Sequence, residues 1–290
     1  MAALLSRTRM ILDMIKYEHT IFALPFALIA TLLAARPHLF PDLRTIFWIL
    51  VAMVSARSSA MAFNRIVDAD YDKNNPRTAA RHIPAGLLSQ TQVWIFLAVT
   101  LGLFELASWQ LNALCFALSP VALLLILGYS YTKRFTSLCH IVLGCAIGIA
   151  PVGAWLAVTG KWSPVPLMFG AIVMLWIGGF DIIYALQDYE VDSRSSLFSL
   201  PKKLGKVNSL LVSRILHALM ISLLIAAGLV SGLHLIYFIG VIVVTGLIIY
   251  EQLLVKPDDL SRVNLAFFTL NGWVSKSLLM FVFLDLLVKL

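Results

Sequence analysis

Charged residues are scarce in this sequence of 290 residues: they make up 13% of the chain, against about 25% in a typical soluble domain. Hydrophobic residues account for 60% of the chain. So little charge cannot cover the surface of an ordinary soluble domain of this length. The composition therefore excludes that class and predicts a surface that faces lipid.

Two further features are missing. No linker rich in Pro, Gly or Ser divides the chain, which predicts a single domain over residues 1–290. The three cysteines show no CxxC spacing and no neighbouring pair of histidines, and they lie within or at the ends of apolar segments. We therefore expect small core residues rather than a metal site or a redox pair at Cys115, Cys139 and Cys145.

The N-terminal ten residues carry Arg7 and Arg9 but no short apolar core before a cleavage site, so we expect no removable signal peptide. The formal net charge is +7. Its basic residues lie in short connections between apolar runs, a distribution typical of membrane topology rather than of nucleic-acid binding. We expect no nucleic-acid partner.

Nine apolar runs are long enough to cross a bilayer, since a spanning helix needs about 20 mostly apolar residues. Their continuous apolar character excludes the alternating pattern of a membrane barrel. The sequence therefore predicts an all-α integral membrane bundle of about nine transmembrane helices. The runs are 15–35, 43–63, 93–111, 113–131, 138–158, 165–185, 210–230, 233–253 and 265–286.

Two connections, 64–92 and 186–209, are long, polar and charged. If the N-terminus is cytoplasmic, 16 of the 22 Lys and Arg residues fall on the cytoplasmic side and four on the opposite side. Basic residues concentrate in cytoplasmic connections. The sequence therefore predicts a protein of the inner (cytoplasmic) membrane, with its N-terminus and both long loops in the cytoplasm.

The first long loop begins with an acidic motif at the end of the second run. On a helix with 100° per residue, Arg57, Asn64, Asp68 and Asp72 share one stripe about 80° wide. Asp70 falls about 140° away from this stripe and is not expected in the site.

The second long loop begins with a similar motif at the end of the sixth run. Asp181, Tyr184, Asp188 and Asp192 again share about 80° of helix surface, and Glu190 lies on the opposite face. Two helices on the same side of the membrane are thus predicted to end in carboxylates one turn apart.

Clustered carboxylates beside an apolar region are costly unless a cation compensates them. Mg²⁺ prefers oxygen ligands and commonly joins one or two carboxylates to a substrate phosphate. The paired motifs therefore predict a diphosphate held through Mg²⁺, with nearby cations balancing its remaining charge. These cations are Lys73, Arg77, Arg81, Lys133 and Arg134.

Two questions stay open on the residues alone. Arg57 lies inside an apolar run and needs an anion, which is either a motif aspartate or a substrate carboxylate or diphosphate. Buried carboxylates also mark cation and proton pathways, so a transporter is the alternative from another class. Transport would need acidic groups near the bilayer centre, for which Glu105 and Asp181 are the main candidates.

At these residues the sequence resembles the UbiA superfamily of membrane prenyltransferases. The family pattern NxxxDxxxD reads Asn64, Asp68 and Asp72, and its DxxxD pattern reads Asp188 and Asp192. The flanking segments 75–78, 83–86 and 129–134, Tyr184 before the second motif, and the nine-run layout are similar as well. The resemblance covers nearly the whole chain.

One position departs from a common form of the pattern. Many members carry Asp directly after the motif asparagine, where this chain has Arg65. Arginine at this position resembles the branch of 4-hydroxybenzoate polyprenyltransferases and their menaquinone-pathway relatives. Residue 65 lies off the centre of the polar stripe, so we expect little effect on metal binding.

The resemblance implies transfer of a polyprenyl group from polyprenyl diphosphate to a small aromatic acid, with Mg²⁺ as cofactor. The expected acceptor is 4-hydroxybenzoate, in quinone biosynthesis, and a naphthalene-type acceptor of menaquinone biosynthesis is the alternative. The metal ligands implied are Asp68, Asp72, Asp188 and Asp192, with Asn64 completing or orienting the shell. The catalytic residues implied are these four aspartates with Lys133 and Arg134. The substrate-binding residues implied are Arg57, Asn64, Lys73, Arg77, Tyr131 and Tyr184.

Overall fold

A computed structural model describes residues 10–15 and 20–289 of the chain. Within these residues the regular elements are all helices, and eight of them are long and apolar enough to cross a membrane. The all-α membrane bundle is therefore confirmed, and the chain is a multi-pass integral membrane protein.

The helices follow the predicted apolar runs closely. A 3₁₀ turn, Leu186–Asp188, lies between α7 and α8, and a π-helical turn, Leu265–Leu270, precedes α11. The labelled helices are α1 Thr20–Ala34, α2 Leu43–Val67, α3 Ala69–Lys73, α4 Gln90–Leu111, α5 Ala113–Thr132, α6 Cys139–Thr159, α7 Pro164–Ala185, α8 Tyr189–Arg194, α9 Leu200–Val230, α10 Leu235–Leu254 and α11 Asn271–Lys289.

Two ends differ from the prediction. The first run was expected over 15–35, whereas α1 has 15 residues, and residues 16–19 lie outside the described part of the chain. Helix α9 starts at Leu200, ten positions before the run at 210, where Ser199 caps it by accepting a hydrogen bond from the Lys202 backbone N–H. It is kinked at Gly205, whose φ of 78° is not helical. Its first turns carry lysines, and an apolar-run criterion does not detect such a segment.

The chain divides into two compact units, each with its own core, and the interpretation as one domain stays a prediction. The first unit contains the described residues of Met1–Thr20 together with Ile46–Tyr131. Its core joins residues 10–15 to α2 and α4. The buried members are Met14, Ile15, Met61, Ala62, Ile66, Leu88, Val93 and Leu97.

The second unit contains Ile21–Thr45 and Thr132–Leu290. Trp176 of α7 is fully buried at its centre, with Phe22 and Phe26 of α1 and Phe180 against its ring. Aromatic pairs of this kind add to the stabilisation from burial. Helix α7, which leads into the second acidic motif, is therefore firmly packed.

Glycines let α6 and α7 approach each other at backbone distance. A Cβ added at Gly148 would lie 2.5 Å from the carbonyl oxygen of Gly170, and one added at Gly144 would collide with the carbonyl of Met174. Gly144 and Gly148 are four residues apart, the small-residue spacing that permits close helix packing in membranes. The second motif is thus supported by α6.

Candidate functional site

The first acidic motif runs from the end of α2 through α3. Although α2 ends at Val67, the Asp68 backbone N–H donates to the Asn64 carbonyl at 3.0 Å and the Asp72 N–H donates to the Asp68 carbonyl at 2.8 Å. The i to i+4 spacing is therefore kept across the break. In agreement, the Asn64 side-chain Nδ2 donates to Asp68 Oδ2 at 2.8 Å.

Burial separates the motif aspartates as the helical stripe predicts. Asp68 and Asp72 are 1% and 6% exposed, whereas Asp70 is exposed. Nη1 of Arg81 donates to both carboxylate oxygens of Asp72, at 2.6 and 2.8 Å. Arg81, which the sequence indicated only as a nearby cation, thus compensates a buried charge. The catalytic role of these aspartates stays a prediction.

Arg65 has a structural contact that sequence reasoning did not foresee. The side chain is buried, and its Nε donates to the Met14 carbonyl oxygen at 3.4 Å. The charge of Asp72 also acts on its guanidinium. The residue that departs from the common pattern therefore holds residues 10–15 against α2.

Arg57 lies two turns before Asn64 on α2. Its Nε is buried, and among the described residues it has no hydrogen-bond partner. Tyr129 of α5 is close enough for its hydroxyl to interact electrostatically with this guanidinium and with Asp68. A buried guanidinium nitrogen without a partner is a position where an anionic ligand group can bind.

The second motif does not follow one ideal helix. Helix α7 ends at Ala185, Leu186–Asp188 form a 3₁₀ turn, and α8 starts at Tyr189. A 3₁₀ turn rotates about 120° per residue instead of about 100°, so the uniform stripe over 181–192 was wrong in detail. Nevertheless Glu190 is exposed, and its carboxylate lies 3.8 Å from Lys206 Nζ.

Asp188 and Asp192 are partly buried and lie near a cation and a hydroxyl. The Ser199 hydroxyl and the charge of Lys133 stabilise the charged Asp192 carboxylate, whereas the charge of Asp188 opposes it. Lys133 is also tied to the segment after the motif, because the Phe198 backbone N–H donates to its carbonyl oxygen at 2.7 Å. Lys133 therefore lies near Asp192, and its catalytic role stays a prediction.

Sequence reasoning missed a histidine beside the second motif. His140 of α6 is 4% exposed, and its Nδ1 lies 2.7 Å from Asp181 Oδ2. Asp181 had been placed on the polar stripe, but without a partner. A single histidine next to Cys139 in an apolar run carries no periodic signal, so only the packing of α6 on α7 could reveal the pair.

Tyr184 is held in an aromatic group. Its ring centroid lies 4.2 Å from that of Phe267 and 6.2 Å from that of Phe268, both in the π-helical turn. A π-helical turn inside a helix is often found at functional sites. Tyr184 is therefore placed one turn before Asp188, with an apolar partner on its ring.

The remaining predicted residues range from exposed to half-buried. The side chains of Lys73 and Arg77 are exposed. Arg134 is half-buried. Tyr131 is 39% exposed, and its ring packs edge-on against Phe63 at 5.7 Å between centroids. Of the predicted nearby cations, Arg81 is bound to both oxygens of a motif aspartate.

The donor set fits magnesium. Oxygen is the ligand atom of all four aspartates, and since the Asn64 amide nitrogen donates to Asp68, its amide oxygen is the atom able to face a metal. Within residues 10–15 and 20–289 no three His, Cys, Asp or Glu side chains are grouped so as to hold a metal ion.

Comparison with known proteins gives the same family as the motifs. Residues 23–273 match the model of the UbiA prenyltransferase family. A protein from Nitrosospira multiformis named 4-hydroxybenzoate octaprenyltransferase is 32% identical over 86% of this chain and 85% of its own length. A protein of the same name from Alkalilimnicola ehrlichii is 29% identical over 85% and 83%.

Solved structures agree with these sequence matches. A UbiA homologue from Aeropyrum pernix superimposes with a TM-score of 0.80, at 30% identity, over 94% of this chain and 98% of its own. A UbiA homologue from Archaeoglobus fulgidus, solved with DMAPP and Mg²⁺, has the same fold with a TM-score of 0.71, at 18% identity, over 96% and 99%. The family model covers most of the chain, and the chain therefore belongs to the UbiA prenyltransferase family.

Proposed function

We propose that this protein transfers a polyprenyl group from polyprenyl diphosphate to an aromatic acid, 4-hydroxybenzoate, and releases diphosphate. The observation that carries the proposal is the pair of acidic helix ends, each with carboxylates one turn apart. A basic side chain lies near each pair: Arg81 binds Asp72, and Lys133 lies near Asp192. Relatives named 4-hydroxybenzoate octaprenyltransferase support the choice of acceptor.

The diphosphate would be the group that the acidic motifs recognise. Asp68 and Asp72 of the first motif, and Asp188 and Asp192 of the second, are the ligands we propose for Mg²⁺. When bound, the metal neutralises charge that develops on the leaving diphosphate. Lys133, Arg134 and Arg81 would add positive charge to the same group. The Archaeoglobus homologue solved with DMAPP and Mg²⁺ supports a prenyl diphosphate and this metal.

The bonds exchanged are simple. The bond between C1 of the prenyl group and the diphosphate oxygen breaks, a bond from C1 to a ring carbon of the acceptor forms, and that ring carbon loses its proton. Water would capture the allylic cation, so the cation needs an apolar surrounding. Tyr184 with Phe267 and Phe268 supplies aromatic surface beside Asp188.

The acceptor carboxylate would bind at Arg57. Its buried Nε is free to donate, and a planar guanidinium matches a carboxylate in geometry. Arg57 lies seven residues from Asn64, which places it about 10 Å deeper along α2. We further propose that the acidic motifs face the cytoplasm and that the protein lies in the cytoplasmic membrane, because of its basic asymmetry.

The deciding experiment uses the purified protein in lipid vesicles with a polyprenyl diphosphate and a set of labelled aromatic acids. We expect a prenylated product and one diphosphate per product with 4-hydroxybenzoate and Mg²⁺, and none after chelation. A preference for a naphthalene-type acid would move the protein to menaquinone biosynthesis. No product with any acceptor would contradict the proposal.

Matched variants make the same assay specific to the motifs. Asp68→Asn and Asp188→Asn should each lower product formation by at least about 100-fold, because each removes a charged oxygen ligand. Asp70→Asn and Glu190→Gln change exposed carboxylates in the same segments and should retain more than half of the activity. Equal loss in all four variants would refute the assignment of ligands.

A further inference from the structure

The proposed reaction leaves one buried side chain beside the second motif without a role. His140 makes two polar contacts: Nδ1 with Asp181 Oδ2 at 2.7 Å, and Nε2 with the Leu200 backbone N–H at 3.4 Å. Since the Leu200 N–H is a donor, Nε2 accepts. The hydrogen of the neutral ring is then on Nδ1, which donates to Asp181. One ring thus connects three helices, α6, α7 and α9.

Each contact leads to one end of the second motif. Asp181 lies on α7 two turns before Asp188. Leu200 is the first residue of α9, and the hydroxyl of Ser199, which caps that helix, lies close enough to the Asp192 carboxylate to stabilise its charge. The histidine therefore joins α7, which leads to Asp188, to the start of α9, where the Ser199 hydroxyl lies near Asp192.

Other contacts hold the intervening segment, but to different neighbours. Lys202 Nζ donates to the carbonyl oxygens of Ser195 and Leu197 at 2.7 and 2.9 Å, which folds the segment onto α9. The Phe198 N–H donates to the carbonyl of Lys133. His140 adds the link to α7. Ser213 and His217 of α9 also bond to backbone carbonyls of α7, at Gly179 and Trp176. The His140 link lies nearer the motif, at the first residue of α9.

We propose that His140 is a positioning residue for the metal ligands Asp188 and Asp192, an inference that rests on the proposed function. It contacts neither carboxylate and fixes the distance between them through Asp181 and Ser199. Removal of a group that orients a metal ligand without touching the metal typically lowers metal affinity by about 10–100-fold. Loss of His140 should therefore weaken Mg²⁺ binding more than it slows the reaction at saturating metal.

The test measures binding without turnover. Metal-free purified protein is heated at increasing Mg²⁺ concentrations, since a ligand of the native state raises the Tm with its saturation. His140→Ala should need about 10-fold more Mg²⁺ for the same rise in Tm. His140→Asn, whose amide keeps a donor toward Asp181 but loses the acceptor for Leu200, should need about threefold more and serves if the alanine variant does not fold. At saturating Mg²⁺ we expect kcat within about twofold of the native value.

His217 provides the matched control. It is also buried, at 1% exposed, and hydrogen-bonds to the Trp176 carbonyl and the Gln252 side chain, 17 residues into α9 from Leu200. His217→Ala should lower the Tm but leave the Mg²⁺ dependence unchanged. Equal Mg²⁺ dependence in native and His140 variants, or the same shift in the His217 variant, would overturn the inference. A native protein whose Tm ignores Mg²⁺ would overturn the metal site itself, and with it this role.

Discussion

At the scale of single residues, the two arginines of α2 differ in the hydrogen-bond partners of their guanidinium groups. Arg65 donates to a backbone carbonyl of the protein, whereas Arg57 keeps a buried Nε without a described partner. A buried charge is stable only when something compensates it. The difference indicates that Arg65 stabilises the fold and that the Arg57 guanidinium is available to bind an anionic ligand.

This difference gives a prediction about substrate affinity. Arg57→Lys keeps the charge but loses the planar pair of donors, so we expect the apparent KM for the aromatic acid to rise about 10-fold. The KM for polyprenyl diphosphate should stay within about twofold. Steady-state kinetics with each substrate varied in turn measures both.

Arg65→Lys is the matched control, because it changes the same side chain on the same helix. We expect a lower yield of folded protein and an unchanged acceptor KM. If Arg57→Lys raised the KM for the diphosphate substrate instead, the guanidinium would pair with the diphosphate or a motif aspartate, and the carboxylate role would be wrong.

At the scale of helices, the sequence predicted the membrane runs well because a long apolar segment has few alternatives in lipid. It missed what depends on packing. The 3₁₀ turn at Leu186–Asp188 has no periodic signature, and the pairing of His140 with Asp181 depends on the approach of two helices. The early start of α9 could have been found, since Ser199 followed by Pro201 is a typical helix start.

The close packing of α6 on α7 predicts a sharp contrast between two glycines. Gly148→Leu would force a side chain into the Gly170 backbone, which cannot move aside, and should cost at least about 2 kcal/mol. We expect the Tm in detergent to fall by about 5–10 °C. Gly153→Leu, on the same helix but with open space at its Cβ, should change the Tm by less than about 2 °C. Similar losses at both positions would show that the contact does not stabilise the bundle.

At the scale of the whole molecule, topology depends on α1. Its 15 residues extend about 22 Å, less than the hydrocarbon core of about 30 Å, and residues 16–19 before it lie outside the described part of the chain. The other eight long helices are an even number, so α1 decides whether the two ends of the chain lie on the same side. The sequence predicts nine spans and therefore opposite sides.

Fusions to reporter proteins test whether the number of membrane-spanning helices is odd or even. With a cytoplasmic N-terminus and nine spans, alkaline phosphatase fused after Lys289 should be active, and a green fluorescent protein at the same place should be dark. Phosphatase fused after Arg134, in a connection expected in the cytoplasm, should be inactive. Five long helices separate Arg134 from the C-terminus, so the fusions at these two places should always report opposite sides. With the N-terminus in the cytoplasm, reversal of the result at both places would mean that α1 does not cross the membrane.

The hydrogen bond from Phe198 to the Lys133 carbonyl has a mechanical consequence. It joins the backbone of Lys133, after α5, to the segment that follows Asp192. A movement of one segment would therefore shift the other as well. A displacement that withdraws Asp192 would withdraw Lys133 as well, and positive and negative sites would open or close in synchrony. In the proposed function, release of the metal and of the diphosphate would therefore be coupled in the second unit.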